Sequence, residues 1–172
     1  MSIRTAYATQ GVIPFYKSHG NTYRNPHEPT VHECLDMVIQ KHTPCLDKVL
    51  DLACGSGEIT CHLPTTSNVV GIDPYTQDAY EFRIGKKPLS YSFEEIGRGA
   101  IRDHRYDLII CSFALHLVAY SYLPSICYEL ALISPRLLIL TPHKRPILRW
   151  GWTLIDEFLH NRVRARYYER QN

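Results

Sequence analysis

None of the six cysteines, at positions 34, 45, 54, 61, 111 and 127, forms a C-x-x-C pair. Scattered thiols of this kind read as small buried hydrophobes rather than metal ligands or redox couples, so no metal site is expected. Residues 1–11 (MSIRTAYATQG) lack the apolar centre of a signal peptide, so a reducing compartment, cytoplasmic or nuclear, is expected. No apolar run reaches the ~20 residues needed to cross a bilayer. The longest, Leu108 to Ala119, has 12 and includes Ser112 and His116. Internal repeats and low-complexity tracts are also missing, which excludes solenoid and fibrous architectures. Neither sign of charge dominates: 19 Lys and Arg against 17 Asp and Glu exclude both an acidic tail protein and a polycation. The balance is uneven along the chain, with eight basic and three acidic residues from Arg136 onward. An anionic partner should favour that quarter.

The 172 residues suffice for one packed domain, with an N-terminal arm over 1–25 and a basic aromatic tail over 144–172. Between them, short apolar runs alternate with helical patterns. The spacing of Val31, Cys34, Leu35, Val38 and Ile39 after Pro26 and Pro29 predicts an amphipathic helix. Lys48–Leu52, Asn68–Ile72, Leu89–Phe93, Tyr106–Cys111 and Arg136–Leu140 read as strands, nearly continuous in apolar character, as in a parallel sheet covered on both faces. Helices are expected over Glu58–Leu63 and Thr76–Ile84, after the capping box Ser92-x-x-Glu95, and over Leu123–Ile133. This alternation predicts an α/β, Rossmann-like, doubly wound and mostly parallel sheet.

The most specific string is KVLDLACGSGEIT. A strand ending at Asp51 feeds a turn containing Ala53, Gly55 and Gly57, where backbone amides can approach a ligand closely. Asp73 ends the next strand, 16 residues after Gly57, where a carboxylate can accept both hydroxyls of a ribose. The dinucleotide fingerprint needs a third glycine where this chain has Thr60, which disfavours NAD.

DLACGSG at 51–57, VVGIDPY at 69–75, YDLIICSFALHLV at 106–118 and RLLILTPHKRP at 136–146 together resemble the class I S-adenosylmethionine-dependent methyltransferases, particularly their type 11 and type 12 domains. Ala53 stands where that group usually has its first glycine. The resemblance implies S-adenosyl-L-methionine as cofactor. Ala53, Gly55 and Gly57 would hold its methionine part, and Asp73 and Pro74 its ribose. Ser92 and Phe93 would meet its adenine, while Ser112 and Phe113 flank the sulfonium and Asp51 supports the loop or meets the amino group. Pro64 should shorten the first crossover helix. The group usually ends in a sixth strand and an antiparallel seventh. Here a helix over Trp150–His160 and one strand over Val163–Tyr168 are expected, so the seventh strand is expected to be missing.

In such a fold the acceptor lies at the open sheet edge, near His116, His143, Lys144 and Arg145, with Tyr16, His19, Tyr23, Arg24 and His27 of the arm. His116, His143 and Lys144 are the catalytic candidates; Tyr16, Tyr23, Arg24, His27 and Arg145 are candidates for substrate binding. HKRPILRWGW and NRVRARYYER interleave cations with aromatics, a composition suited to phosphates and stacked bases, so the acceptor is expected to be RNA. A small-molecule acceptor and a non-catalytic subunit are the alternatives. Arg162, Arg164 and Arg166 are expected on an exposed edge strand open to RNA or to a protein partner. Removing residues 1–25 should abolish methyl transfer and leave the sheet folded. Circular dichroism beside an activity assay checks this, and normal turnover by the truncated chain would make the arm a mere tail.

Overall fold

The computed structural model describes residues 24–172, together with Gly11, Pro14 and Ser18. Tyr16, His19 and Tyr23 lie outside the described residues. Helix α1, Glu28–His42, carries Pro29 in its first turn and buries Val31, Cys34, Leu35 and Val38 along one stripe. It stops at Thr43, in a left-handed conformation that returns its amide to the Ile39 carbonyl. Strands β1 (Lys48–Leu52) and β2 (Asn68–Ile72) follow, then helix α2 (Gln77–Ile84), capped at its end by Gly85. The expected capping box is present at α3 (Phe93–Gly97), where Ser92 and Glu95 exchange side-chain and backbone bonds. Strand β3 (Leu108–Ser112), helix α4 (Leu123–Ile133) and strand β4 (Arg136–Thr141) complete the winding. The chain then forms β5 (Trp152–His160) and β6 (Val163–Arg170).

The sheet order is β2-β1-β3-β4-β6-β5. The pairs β1/β2, β1/β3 and β3/β4 are parallel, and β6 is antiparallel to both neighbours. Successive strand residues feed opposite cores. Val49, Leu108, Ile110, Leu138 and Leu140 pack with α1, while Leu50, Leu52, Ile109, Leu137 and Ile139 pack with α3 and α4. Double coverage explains the apolar continuity of the strands.

The sheet has six strands, but the shortfall is not at the C-terminus. Of the expected strand Leu89–Phe93, only Leu89 pairs, through a single bridge to Ile72. Ser92 then turns the chain into α3. The expected helix Glu58–Leu63 is a series of turns, because the Thr60 amide bonds the Asp51 carboxylate at 3.2 Å rather than a helical carbonyl. The expected helix over Trp150–His160 is instead strand β5. Gly151, at φ +78°, opens it, and β-formers such as Thr153, Ile155 and Phe158 fill it.

This hairpin also overturns the exposed basic edge. Strand β6 is interior, and β5 is the edge next to it. Arg166 is buried and ion-paired to Glu157, and Arg164 bonds the same carboxylate at 2.9 Å. Arg162 is exposed, in the turn between the strands. Glu157→Ala would leave the Arg166 guanidinium buried without a counter-charge. A loss of about 2 kcal/mol is expected, because the carboxylate side of the pair is partly screened by solvent. Urea unfolding reads it, and a loss within the scatter of an ordinary surface ion pair would contradict the burial argument.

Candidate active site

The turn after β1 is held by buried carboxylates. Asp51 accepts from the Thr60 hydroxyl at 2.7 Å as well as from its amide. Asp73 accepts from the amides of Gly55 (3.2 Å), Tyr75 (2.8 Å) and Thr76 (3.2 Å), and the Thr76 hydroxyl donates to the Gly55 carbonyl at 2.7 Å. Ala53, Gly55 and Gly57 all have positive φ, at 56°, 56° and 87°. An alanine there costs roughly 1 kcal/mol or more relative to its right-handed conformation, which the surrounding bonds must offset. A side chain on Gly57 would meet Ile84, with a Cβ only 2.7 Å from its Cγ1.

These elements wall a cavity of about 310 Å³ at the carboxyl ends of the strands. Asp51, Ala53, Gly55, Asp73, Pro74, Ser92, Phe93, Ser112 and Phe113 line it, whereas Gly57 does not and packs beneath the turn. Phe113 is another non-glycine residue with positive φ, 55°, and its ring stacks on His27 at 5.2 Å. Asn25, Glu58 and Tyr91 also line the cavity and were not among the expected site residues. Glu58 joins the end of the arm to the turn: its carboxylate accepts from the Asn25 amide at 3.1 Å and the Ser56 hydroxyl at 2.6 Å. Arg24 reaches the same Ser56 hydroxyl at 3.2 Å. His27 thus stacks on a residue of the cavity wall, whereas Arg24 bonds Ser56, which does not itself line the cavity.

Burial pushes the Asp51 carboxyl up to about 8, with the charges of Glu58 and Asp73 adding to the shift and the Thr60 bonds opposing it. Asp73 is raised by burial as well, against its backbone bonds. Glu94 also lines the cavity, so it presents four acidic groups.

Beyond Val118, which faces both spaces, lies a second cavity of about 520 Å³. His116, Tyr120, Lys144, Arg145 and Arg149 line it, with no acidic residue. The His116 and His143 rings lie 4.4 Å apart, and the Thr141 hydroxyl contacts His116 Nδ1 at 3.3 Å. Burial, reinforced by His143, lowers His116 to about 4, so its imidazole is uncharged at neutral pH. The structure thus gathers His116, His143, Lys144 and Arg145 beside the first cavity. Arg149 joins them, part of the basic tail but not singled out as a site residue by the sequence.

A turn with alternating positive φ, an acid on the next strand end and a pocket across the sheet's carboxyl edge define a nucleoside-binding α/β enzyme fold. Residues 50–131 match the methyltransferase domain family. An uncharacterized protein of Schizosaccharomyces pombe is 33% identical over 230 aligned positions, covering 99% of this chain and 93% of the relative. Among solved structures, a magnesium protoporphyrin IX methyltransferase from Synechocystis with bound S-adenosylmethionine matches 98% of this chain and 95% of its own, at 17% identity and TM-score 0.61. A TehB-like S-adenosylmethionine-dependent methyltransferase from Corynebacterium glutamicum covers 92% and 96% at 15% identity and TM-score 0.63. An rRNA methylase from Escherichia coli covers 98% and 81% at 14% identity and TM-score 0.62. The chain belongs to the class I S-adenosylmethionine-dependent methyltransferases.

The residues fit that donor. Its sulfonium and ammonium are cations, and the cavity is acidic. Ser112 lines the cavity, and its hydroxyl is buried without a hydrogen-bond partner among the described residues. Phe93 and Tyr91 offer apolar flanks for a purine.

The raised Asp51 carboxyl has a stability consequence. The folded protein keeps a proton at Asp51 from about pH 4 to about pH 8, which the unfolded chain has already lost. Stability from this group is therefore full below the unfolded value and falls as pH rises towards 8. Asp51→Asn, which keeps an acceptor for Thr60, should remove that fall, so the variant gains on the wild type between pH 5 and pH 8. Urea unfolding of the ligand-free proteins at both pH values checks it, and parallel pH dependence would contradict the assignment.

Proposed function

We propose that the protein transfers a methyl group from S-adenosylmethionine to RNA, with the donor in the acidic cavity and the acceptor entering through the basic one. The observation that carries this reading is the reversal of charge between two spaces that share Val118. The donor supplies a methyl carbon activated by the positive sulfur, so the protein's task is mainly alignment and electrostatics.

In this reading Asp73 accepts from the ribose hydroxyls and keeps the Gly55 amide in place. Ser92 and Phe93 border the adenine, and Ser112 and Phe113 border the reacting end. Asp51 and Glu58 face the ammonium side and hold the turn and the end of the arm. The uncharged His116 imidazole is placed to accept a proton from the acceptor nucleophile, with Thr141 and His143 fixing its ring. Lys144, Arg145 and Arg149 hold the acceptor's negative charge, while Tyr120, set edge-on to Trp150 at 5.6 Å, offers an exposed ring for stacking.

A small-molecule acceptor is supported by one observation. Glu157 engages both Arg164 and Arg166, so the basic surface is shorter than the sequence implies.

Asp73→Ala should weaken binding of S-adenosylmethionine by about tenfold or more, through loss of charge-assisted hydrogen bonds. The same variant should fail to label RNA with a radioactive methyl group where the wild type succeeds. Unchanged donor affinity would sink the role of Asp73. Wild-type label confined to the small-molecule fraction would replace RNA with the second acceptor class.

A further inference from the structure

The basic cavity is built rather than incidental. Its loop, residues 144–149, is pinned from beneath by two buried side chains of β6. Arg166 donates to the carbonyls of Pro146 at 2.9 Å and Lys144 at 2.5 Å, and the Tyr168 hydroxyl accepts from the Leu148 amide at 3.3 Å. Glu157 holds the Arg166 guanidinium from the other side. Pro146 and Leu148 are buried, so Lys144, Arg145 and Arg149 are left outward on a fixed backbone.

Among the described residues none of these three cations forms an ion pair, although Arg83, Arg102, Arg136, Arg164 and Arg166 all do. Three like charges on one short loop repel one another, and a polyanionic group placed between them removes that repulsion. Arginine forks suit the tetrahedral oxygens of a phosphate, and a fixed loop lowers the ordering cost of binding it.

We infer that Lys144, Arg145 and Arg149 form a phosphate subsite that anchors the acceptor in the basic cavity, with its reacting end directed past His116 and Val118 towards the acidic cavity. This rests on the methyltransferase reading of that acidic cavity. The phosphate belongs either to an RNA strand or to a free phosphorylated small molecule, and both present the same chemistry to the loop.

The test is calorimetric, with pyrophosphate, uridine 5′-monophosphate and a single-stranded uridine dodecamer as probes. The proteins are the wild type, the triple variant Lys144→Gln/Arg145→Gln/Arg149→Gln, and Arg162→Gln, which removes an exposed arginine elsewhere. Pyrophosphate should bind the wild type and Arg162→Gln equally and the triple variant about tenfold or more weakly. S-adenosylhomocysteine should bind all three proteins alike, which also shows that the triple variant is folded. A dodecamer affinity far above that of the monophosphate, with a salt dependence that shallows in the triple variant, supports the subsite and makes an RNA strand the source. Comparable affinity for the two supports the subsite and makes a free phosphorylated molecule the source. Equal pyrophosphate binding by wild type and triple variant, or none by the wild type, overturns the subsite. Absence of S-adenosylhomocysteine binding by the wild type would instead strike the methyltransferase reading, so the two failures are distinguishable.

Discussion

Two carboxylates, Asp51 and Asp73, are carried out of water at the ends of adjacent strands, and the turn after β1 and the entry to α2 are arranged around them. Burying an acid is costly unless donors or a cation compensate it. Thr60 supplies donors to Asp51; Gly55, Tyr75 and Thr76 supply them to Asp73. Those bonds have structural consequences. Thr60 leaves the helical pattern, so the first crossover becomes a set of turns, and the Gly55 amide is held at the cavity wall. The bonds do not restore Asp51 to its ordinary acidity. A cationic ligand is what such a site is short of, and the family's donor is one.

The second cavity depends on the C-terminal hairpin. Because β6 inserts between β4 and β5, Arg166 is drawn under the loop after β4, where it bonds backbone carbonyls rather than solvent. The arginines that gave the tail its nucleic-acid character thus divide in use. Arg166 builds the loop and Arg164 shares its counter-ion. Lys144, Arg145 and Arg149 remain available to a partner. Opposite charge preferences in adjoining spaces give a means of bringing a cationic donor and an anionic acceptor together without exchanging their sites.

Much of this was legible in the sequence, for identifiable reasons. Runs such as NVVGI and RLLIL are apolar on both faces, a pattern that a covered parallel strand satisfies. The Ser92–Glu95 box and the Gly85 stop are local signals that no tertiary contact overrode. The glycine turn and Asp73 were legible because phosphate- and ribose-type sites demand particular residues at particular spacings. The hairpin was not, because TLIDEF fits helix and strand equally well and only pairing with β6 decides between them. Burial of Arg166 was equally hidden, since an alternating RVRAR run has the same composition on an exposed edge as inside a sheet. Asn25 gave no signal at all, since it reaches the cavity only because the end of the arm folds back onto the turn, and Glu58, although inside the glycine-turn string, had no role there until Asn25 and Ser56 met its carboxylate.

The central claim is that the acidic cavity binds an adenosyl donor across the sheet edge, and crystals grown with S-adenosylhomocysteine test it most directly. The account requires electron density from the Gly55 turn to Phe93, with the ribose hydroxyls on Asp73 and the sulfur beside Ser112. Density elsewhere on the chain, or a purine seated at the Gly55 end, would contradict it.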